Sequence, residues 1–264
     1  MSNHICPTCG SQKSWSIRRS ARKCRRCRKE WTPTRSVVSG IRATERQWRF
    51  FLRALLRYRT VAAIKIHTQQ SHPLIIKMST VVRRVMAADV PQVFAGIVEV
   101  DETYIGAQWR NRSWSVRKHG TKKGRGTTKQ AIFGIHERAR GIVRAFFVVN
   151  VRNETLLPLI RKHVVPGSTV YSDAYQLYQN VVKYGYRHSF VDHKQHEYAR
   201  GPVHSNGMEG FWGVLKRRLK TTGGIRMTRL PLYLAEEVWR YNFRRLPEKE
   251  KIERLLDLLK RVGG

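Results

Sequence analysis

From residue 94 the apolar pattern changes from a helical to a strand period, and the order of elements after that change leaves few architectures open. Three runs rich in β-branched and aromatic residues come first: Phe94–Val100, Ala131–His136 and Ile142–Val149. A helical stretch at 153–163, a short strand at 168–172 and a helix at 174–184 follow. A strand at 187–192 and a long helix from 206 complete the series. Three strands and then alternating helix and strand predict an α/β domain with a mixed sheet.

Acidic residues stand at the ends of these elements. Asp101 closes the first strand run in VEVDETYIG, Asp173 closes the 168–172 strand in TVYSDAY, and Glu209 lies near the start of the long helix. The chain has 52 Lys and Arg against 18 Asp and Glu, a formal charge of +34, so acids are scarce. Singly, strand-end aspartates read as turn formers, and Asn206 with Glu209 reads as a capping box. Together, two strand-end carboxylates and one helix carboxylate make the oxygen-ligand set for a pair of hard divalent cations, Mg²⁺ or Mn²⁺. Two such ions can clamp the attacking and leaving oxygens of a phosphodiester. Alternation puts Glu99 on the same side as Asp101 and two residues deeper, and Glu102 on the other. His193, His196 and His204 precede the last helix, either to assist proton transfer or as ordinary turn residues.

The helix from 206 divides into two faces. Met208, Phe211, Leu215 and Leu219 form an apolar stripe, while Glu209, Gly213, Lys216 and Lys220 form a second face against which DNA can lie. Arg217 adds charge beside it.

So large a positive charge points to a polyanionic partner, either an enzyme's nucleic-acid substrate or, in a packing protein, the nucleic acid itself. No apolar stretch approaches the roughly 20 residues needed to span a bilayer. MSNHICPTCG lacks the apolar core of a secretion signal, so a cytoplasmic protein is expected. Between the first two strand runs, Gln108–Lys129 mixes Arg, Lys and Gly with Trp109 and Trp114, a composition suited to backbone charge contacts and base stacking. A solvated loop is the alternative.

All four cysteines lie at the N-terminus, as Cys6-x2-Cys9 and Cys24-x2-Cys27. Paired knuckles of this kind present four thiolates to one structural Zn²⁺. Arg25 and Arg26 stand in a heavily basic stretch around the second knuckle, suited to gripping phosphates. Residues 44–90 read as helical. Thr44 and Gln47 have capping-box spacing, and Trp48, Phe51, Leu52, Leu55 and Leu56 recur at the helical period. Pro73 opens a further helix with Ile75, Met78, Val82, Val85 and Met86 on one side. Short helices with a basic exterior fit a helix-turn-helix unit or a helical linker.

VEVDETYIG, YSDAY and VHSNGMEGFWGVLKR together resemble the three motif blocks of DDE-type insertion-sequence transposases. More narrowly they resemble the zinc-ribbon-bearing bacterial group numbered fifteen-ninety-five, over nearly the whole chain. The resemblance implies a ribonuclease-H-like catalytic domain at 94–225, a zinc ribbon at 1–36, a DNA-binding helical segment at 40–90 and C-terminal helices at 226–264. It implies Asp101, Asp173 and Glu209 as metal ligands and matches Lys216 to a basic residue that contacts DNA near the active site. Some relatives carry Asn as the third residue, and Asn206 lies one helical turn before Glu209; here Glu209 takes that place and Asn206 a supporting one. The implied function is DNA cleavage and strand transfer on terminal inverted repeats and target DNA, by a homodimer or larger assembly on DNA.

Overall fold

A computed structural model describes residues 5–6, 8–17, 21–31, 40–41, 43–58, 60–106, 114, 118, 129–172, 178–190, 206–222 and 225–263. Two compact units divide the chain: Met1–Val85 with Glu248–Gly264, and Met86–Pro247. In the first unit, β1 (Ser14–Ser16), β2 (Arg22–Cys24) and β3 (Glu30–Trp31) form a three-stranded antiparallel sheet in that order. Helices α1 (Glu45–Arg57), α2 (Val61–Thr68) and α3 (His72–Ala88) follow. The capping box at the start of α1 is present: Gln47 N–H donates to Thr44 Oγ1 at 3.3 Å, and Thr44 N–H to Gln47 Oε1 at 2.8 Å. Trp48, Phe51, Leu52 and Leu55 are buried on α1, as are all five apolar residues expected on one side of α3.

The second unit is built on a five-stranded sheet. Its strands are β4 (Ile97–Ile105), β5 (Gln130–Glu137), β6 (Ile142–Val148), β7 (Thr169–Ser172) and β8 (Arg187–Phe190), ordered β6-β5-β4-β7-β8. The β6-β5-β4 half is antiparallel and the β4-β7-β8 half parallel, so the sheet is mixed. Helix α4 (Asn153–His163) links β6 to β7; α5 (Asn206–Thr221) and α6 (Leu230–Asn242) come after β8.

Two apolar cores flank this sheet. Val98 and Val100 of β4 and Phe133 and Ile135 of β5 pack with Leu156 and Ile160 of α4. On the opposite face Ile132 and Val143 pack with Met208, Phe211, Trp212 and Leu215 of α5 and with Leu234 and Val238 of α6. Strand alternation therefore turns Glu99, Asp101 and Thr103 of β4 toward the α5 side, where all three are buried.

Several expected boundaries shift for physical reasons. β4 begins at Ile97, because Gly96 sits at φ +73° and Phe94 makes only an isolated bridge to Val164. It continues through the polar residues to Ile105, because β5 pairs with it as far as Ile105 opposite Gln130. Of the expected helix at 174–184, the described portion is a 3₁₀ helix, Gln179–Tyr184. Residues 191–192 of the expected strand at 187–192 lie outside the described residues.

The last helix, α7 (Glu248–Gly263), belongs to the first unit and packs on α1. Arg57 Nε and Nη2 donate to both oxygens of Glu248, and Arg49 is bound to Glu253. Its buried stripe is Ile252, Leu255, Leu256 and Leu259, with Leu258 half-buried. The stripe follows the i, i+3, i+4, i+7 spacing of a buried helix face. No helix of the described residues is long and apolar enough to cross a membrane.

Candidate active site

Helix α5 is fastened to the centre of the sheet at successive points along β4. Glu99 is 1% exposed, and its Oε2 accepts the backbone N–H of Met208 at 2.9 Å. Its Oε1 accepts Arg138 Nε at 2.5 Å, and His136 Nδ1 lies 3.5 Å from Oε2. Burial alone would raise the Glu99 carboxyl, but contacts from His136, Arg138 and the Met208 amide outweigh it and hold it below the ordinary glutamate range. Glu99 is thus a carboxylate at the N-terminal end of α5, where the helix dipole also favours negative charge. The Arg138 guanidinium also lies over the Tyr171 ring at 4.7 Å, tying β5 to β7.

Two residues along β4, Asp101 is 8% exposed. Its Oδ2 accepts the indole N–H of Trp212 at 2.9 Å, and its Oδ1 accepts the following backbone N–H, of Glu102, at 2.7 Å. The fit is close because glycines lie where helix and sheet touch. A Cβ on Gly207 would fall 2.7 Å from Glu99 Oε2, and one on Gly134, which pairs with Asp101, would fall 2.7 Å from Trp212 Cζ2.

Glu209 follows Met208 directly and is exposed in the first turn of α5, whose first residue is the exposed Asn206. Lys216, Arg217 and Lys220 are exposed farther along the helix. The apolar stripe read from sequence is incomplete: Trp212, 3% exposed, belongs to it, and Leu219 is only partly buried. Trp212 lies one position past Phe211, inside the i, i+3, i+4 spacing that a buried face follows.

Asp173 comes directly after Ser172, the end of β7, and lies outside the described residues, as do His193, His196, His204 and Trp109. Ser172 itself is held by His188, whose Nε2 is 3.0 Å from Ser172 Oγ and whose burial lowers its pKa, favouring neutral imidazole. Trp114 is 67% exposed, with Lys118 Nζ 5.1 Å above its ring.

His136 and Arg138 escaped the sequence reading. Their signal was Glu99 itself, a glutamate amid an apolar strand run, which in a sheet interior requires a paired cation or donor. Which side chain answers it depends on the register of β4 with β5, which sets His136 opposite Glu99.

In the first unit, the ligand atoms of Cys6, Cys9, Cys24 and Cys27 lie within 4.8 Å of one another. Cys6 Sγ is 3.5 Å from Cys27 Sγ, and Cys9 Sγ is 3.6 Å from Cys24 Sγ. A disulfide needs about 2.05 Å. Four sulfurs around a tetrahedral Zn²⁺ with bonds of about 2.3 Å stand about 3.8 Å apart, so the cluster fits zinc. The backbone N–H groups of Cys27 and Arg26 approach Cys24 Sγ at 3.5 and 3.3 Å and help lower its thiol to about 6, while burial and the neighbouring sulfurs push Cys27 up to about 12. Arg25 and Arg26 are exposed beside it.

Comparison with known proteins bears on this arrangement. The family model described as "ISXO2-like transposase domain" matches residues 93–242, more than half of the chain. An uncharacterized transposase-like protein of Haemophilus influenzae is 38% identical over 95 residues, covering 36% of this chain and 76% of that protein. An uncharacterized protein in transposable element ISH50 of Halobacterium salinarum is 28% identical over 194 residues, covering 69% of this chain and 66% of its own length. A solved structure of a simian T-cell lymphotropic virus intasome in complex with PP2A regulatory subunit B56 gamma aligns over 73% of this chain and 67% of that one. Its TM-score is 0.35 at 13% identity.

Proposed function

Because the chain belongs to the family of ISXO2-like transposases, we propose that it binds the ends of a mobile element, cuts phosphodiester bonds there and joins the freed 3′ ends to target DNA. Asp101, Asp173 and Glu209 are the proposed catalytic carboxylates. One observation carries this assignment. Glu99 holds Met208 and Asp101 holds Trp212, so Glu209 projects from the stretch of α5 pinned against the strand that bears Asp101. The sheet order β6-β5-β4-β7-β8, antiparallel then parallel, supports a ribonuclease-H-like reading of the unit.

The donor set fits hard divalent cations. Asp101 accepts a hydrogen bond at each oxygen and Glu209 is an exposed carboxylate, and carboxylate oxygens are the donors that such cations take. Asp101, Asp173 and Glu209 would hold Mg²⁺ or Mn²⁺, which when bound polarises the scissile phosphodiester and lowers the pKa of the attacking hydroxyl or water. The chain's own groups do the positioning. Trp212 fixes the Asp101 carboxylate, Asn206 supports the first turn, and Lys216, two turns beyond Glu209, meets a phosphate of the bound strand. Arg217, Lys220 and Trp114 extend that contact. The zinc ribbon, with Arg25 and Arg26, and helices α1–α3 hold the inverted repeats. Two ends processed together require at least a dimer on DNA.

The test uses duplex DNA carrying the inverted repeats that flank the coding region, with Mg²⁺, Mn²⁺ or chelator. Wild-type protein is expected to nick and join these ends only with metal, and Asp101→Ala, Asp173→Ala and Glu209→Ala to bind ends without cutting them. Wild-type protein that binds the ends and never cuts them is a DNA-binding regulator instead.

A further inference from the structure

A cleft of about 610 Å³ opens on the α1–α2 surface of the first unit, within the size range of small-ligand sites. Arg46, Arg49, Phe50 and Arg53 line it from one face of α1, and Thr68 and Gln70 from the end of α2. Its groups differ in what they already touch. Arg49 is bound to Glu45 and Glu253, and Arg53 lies 3.6 Å from Glu248. Arg46 has no ion pair with any described residue, although it lies on the same helix face. Gln70 Oε1 is buried and accepts no hydrogen bond among the described residues, and a buried acceptor in that state marks a place where a donor arrives.

Phe50 is 41% exposed, yet its ring is braced. It stacks on His67 with centroids 5.4 Å apart and planes 25° apart, and His67 in turn lies 4.9 Å from the Tyr58 ring. A braced exposed ring, an unpaired guanidinium and a buried amide oxygen make a specific set. The ring suits the flat face of a base, Arg46 a phosphate, and Gln70 the amino or imino hydrogens on a base edge. A paired duplex could use Arg46 alone, since its bases are stacked inside and their edges already bonded. A peptide could offer Arg46 a carboxylate but would not present a flat base face to Phe50 together with a base edge to Gln70.

We propose that this cleft takes one unpaired nucleotide of a DNA strand, its base against Phe50 and its edge bonded to Gln70. The proposal rests on the reading of this chain as a DNA-binding protein and adds a preference for unpaired bases, with a place for them. Full-length zinc-loaded protein is titrated with a labelled duplex, either blunt or carrying a few unpaired nucleotides at one end. The overhang duplex is expected to bind more tightly. Phe50→Leu and Gln70→Ala are expected to remove that advantage, a loss on the order of tenfold, while lowering affinity for the blunt duplex much less. Both positions are at least partly exposed, so both variants are expected to fold. A photoreactive 5-iodouracil in the overhang is expected to crosslink within 46–70. Equal binding of both duplexes by wild-type protein, or an advantage that survives in both variants, overturns the cleft and leaves DNA binding intact. Folded wild-type protein that binds neither duplex overturns the DNA reading as well.

Discussion

Trp212 and Asp101 form a buried pair: the indole N–H donates to the carboxylate at 2.9 Å, across the contact between α5 and the central strand β4. The bond ties the orientation of the proposed metal ligand to the seating of the helix that carries Glu209. Trp212→Phe keeps an aromatic ring in the core but leaves one Asp101 oxygen without its donor. Losing such a bond costs about 1–3 kcal/mol, and groups that orient a metal ligand typically carry about 10- to 100-fold in activity or metal affinity. Trp212→Phe is therefore expected to lower the cleavage rate at saturating DNA by that factor and to raise the Mg²⁺ concentration needed for half-maximal rate. End binding should change little. A variant that loses stability yet keeps the wild-type metal requirement would show that Trp212 only packs.

Glycine positions give a paired prediction. A side chain on Gly134 meets Met208 and Trp212, whereas nothing lies within 4 Å of the position a Cβ on Gly210 would take. Gly134→Ala should destabilise the second unit by about 1–3 kcal/mol through overpacking. Gly210→Ala, on the exposed side of α5, should stabilise it by up to about 1 kcal/mol through helix propensity. Denaturant midpoints for the two variants should move in opposite directions, and equal shifts would mean that α5 is not seated on β5 as described.

Local features of this architecture could be read from sequence, and features set by register could not. The Thr44–Gln47 box, the α3 stripe and the 153–163 helix follow from neighbours within one or two turns. Asp101 was visible because it ends an apolar run in a chain poor in acids. The setting of Asp101 was hidden, because Trp212 is 111 residues away and meets it only once β4 and α5 are packed together. Alternation placed Glu99 on the Asp101 side, but its place between Arg138 and the Met208 amide depends on which residues β5 sets opposite β4. The extension of β4 to Ile105 was equally invisible, since its polar residues are sustained by pairing with β5 and not by their own pattern.

Stability should fall in acid partly through Glu137. This carboxylate is buried and accepts Arg140 Nε at 2.5 Å, Arg140 Nη2 at 2.6 Å and the Ala95 amide at 2.9 Å. The Arg140 contact, opposed by burial, holds its pKa below the ordinary glutamate value. A depressed folded-state pKa contributes stability that is fully present above the unfolded value and is lost as pH falls through the folded one. Urea midpoints of wild-type protein should therefore drop below about pH 4.3, and Glu137→Gln, already less stable at pH 7, should drop less over the same range. Parallel decline in both proteins would assign the acid sensitivity to other carboxylates.

Zinc should be bound in a one-to-one ratio through Cys6, Cys9, Cys24 and Cys27, and elemental analysis of protein purified without chelator measures it directly. Cys24→Ser removes a buried sulfur that two backbone N–H groups approach. It should abolish stoichiometric zinc and weaken end binding, because so short a ribbon cannot bury enough surface to fold without metal. The melting transition of the second unit should persist. Full zinc content in Cys24→Ser would overturn the four-sulfur site.

The third catalytic carboxylate is where two neighbouring residues compete, and helix geometry favours Glu209. Asp101 is bonded to Trp212, so positions on α5 can be measured from there. Glu209 precedes Trp212 by three residues, about 4.5 Å along the axis and about 60° around it. Asn206 precedes it by six, about 9 Å along and about 120° around, farther from the face that meets the sheet. An amide oxygen is also uncharged and a weaker ligand for a hard cation than a carboxylate. Glu209→Ala should therefore abolish metal-dependent cleavage while end binding persists, and Glu209→Asp should retain a fraction of the rate. Asn206→Ala should reduce the rate only slightly, because Asn206 is the first helical residue of α5 and not its cap. Cleavage that survives Glu209→Ala but not Asn206→Ala would move the ligand to Asn206, and would require the first turn to rotate toward Asp101 when DNA binds.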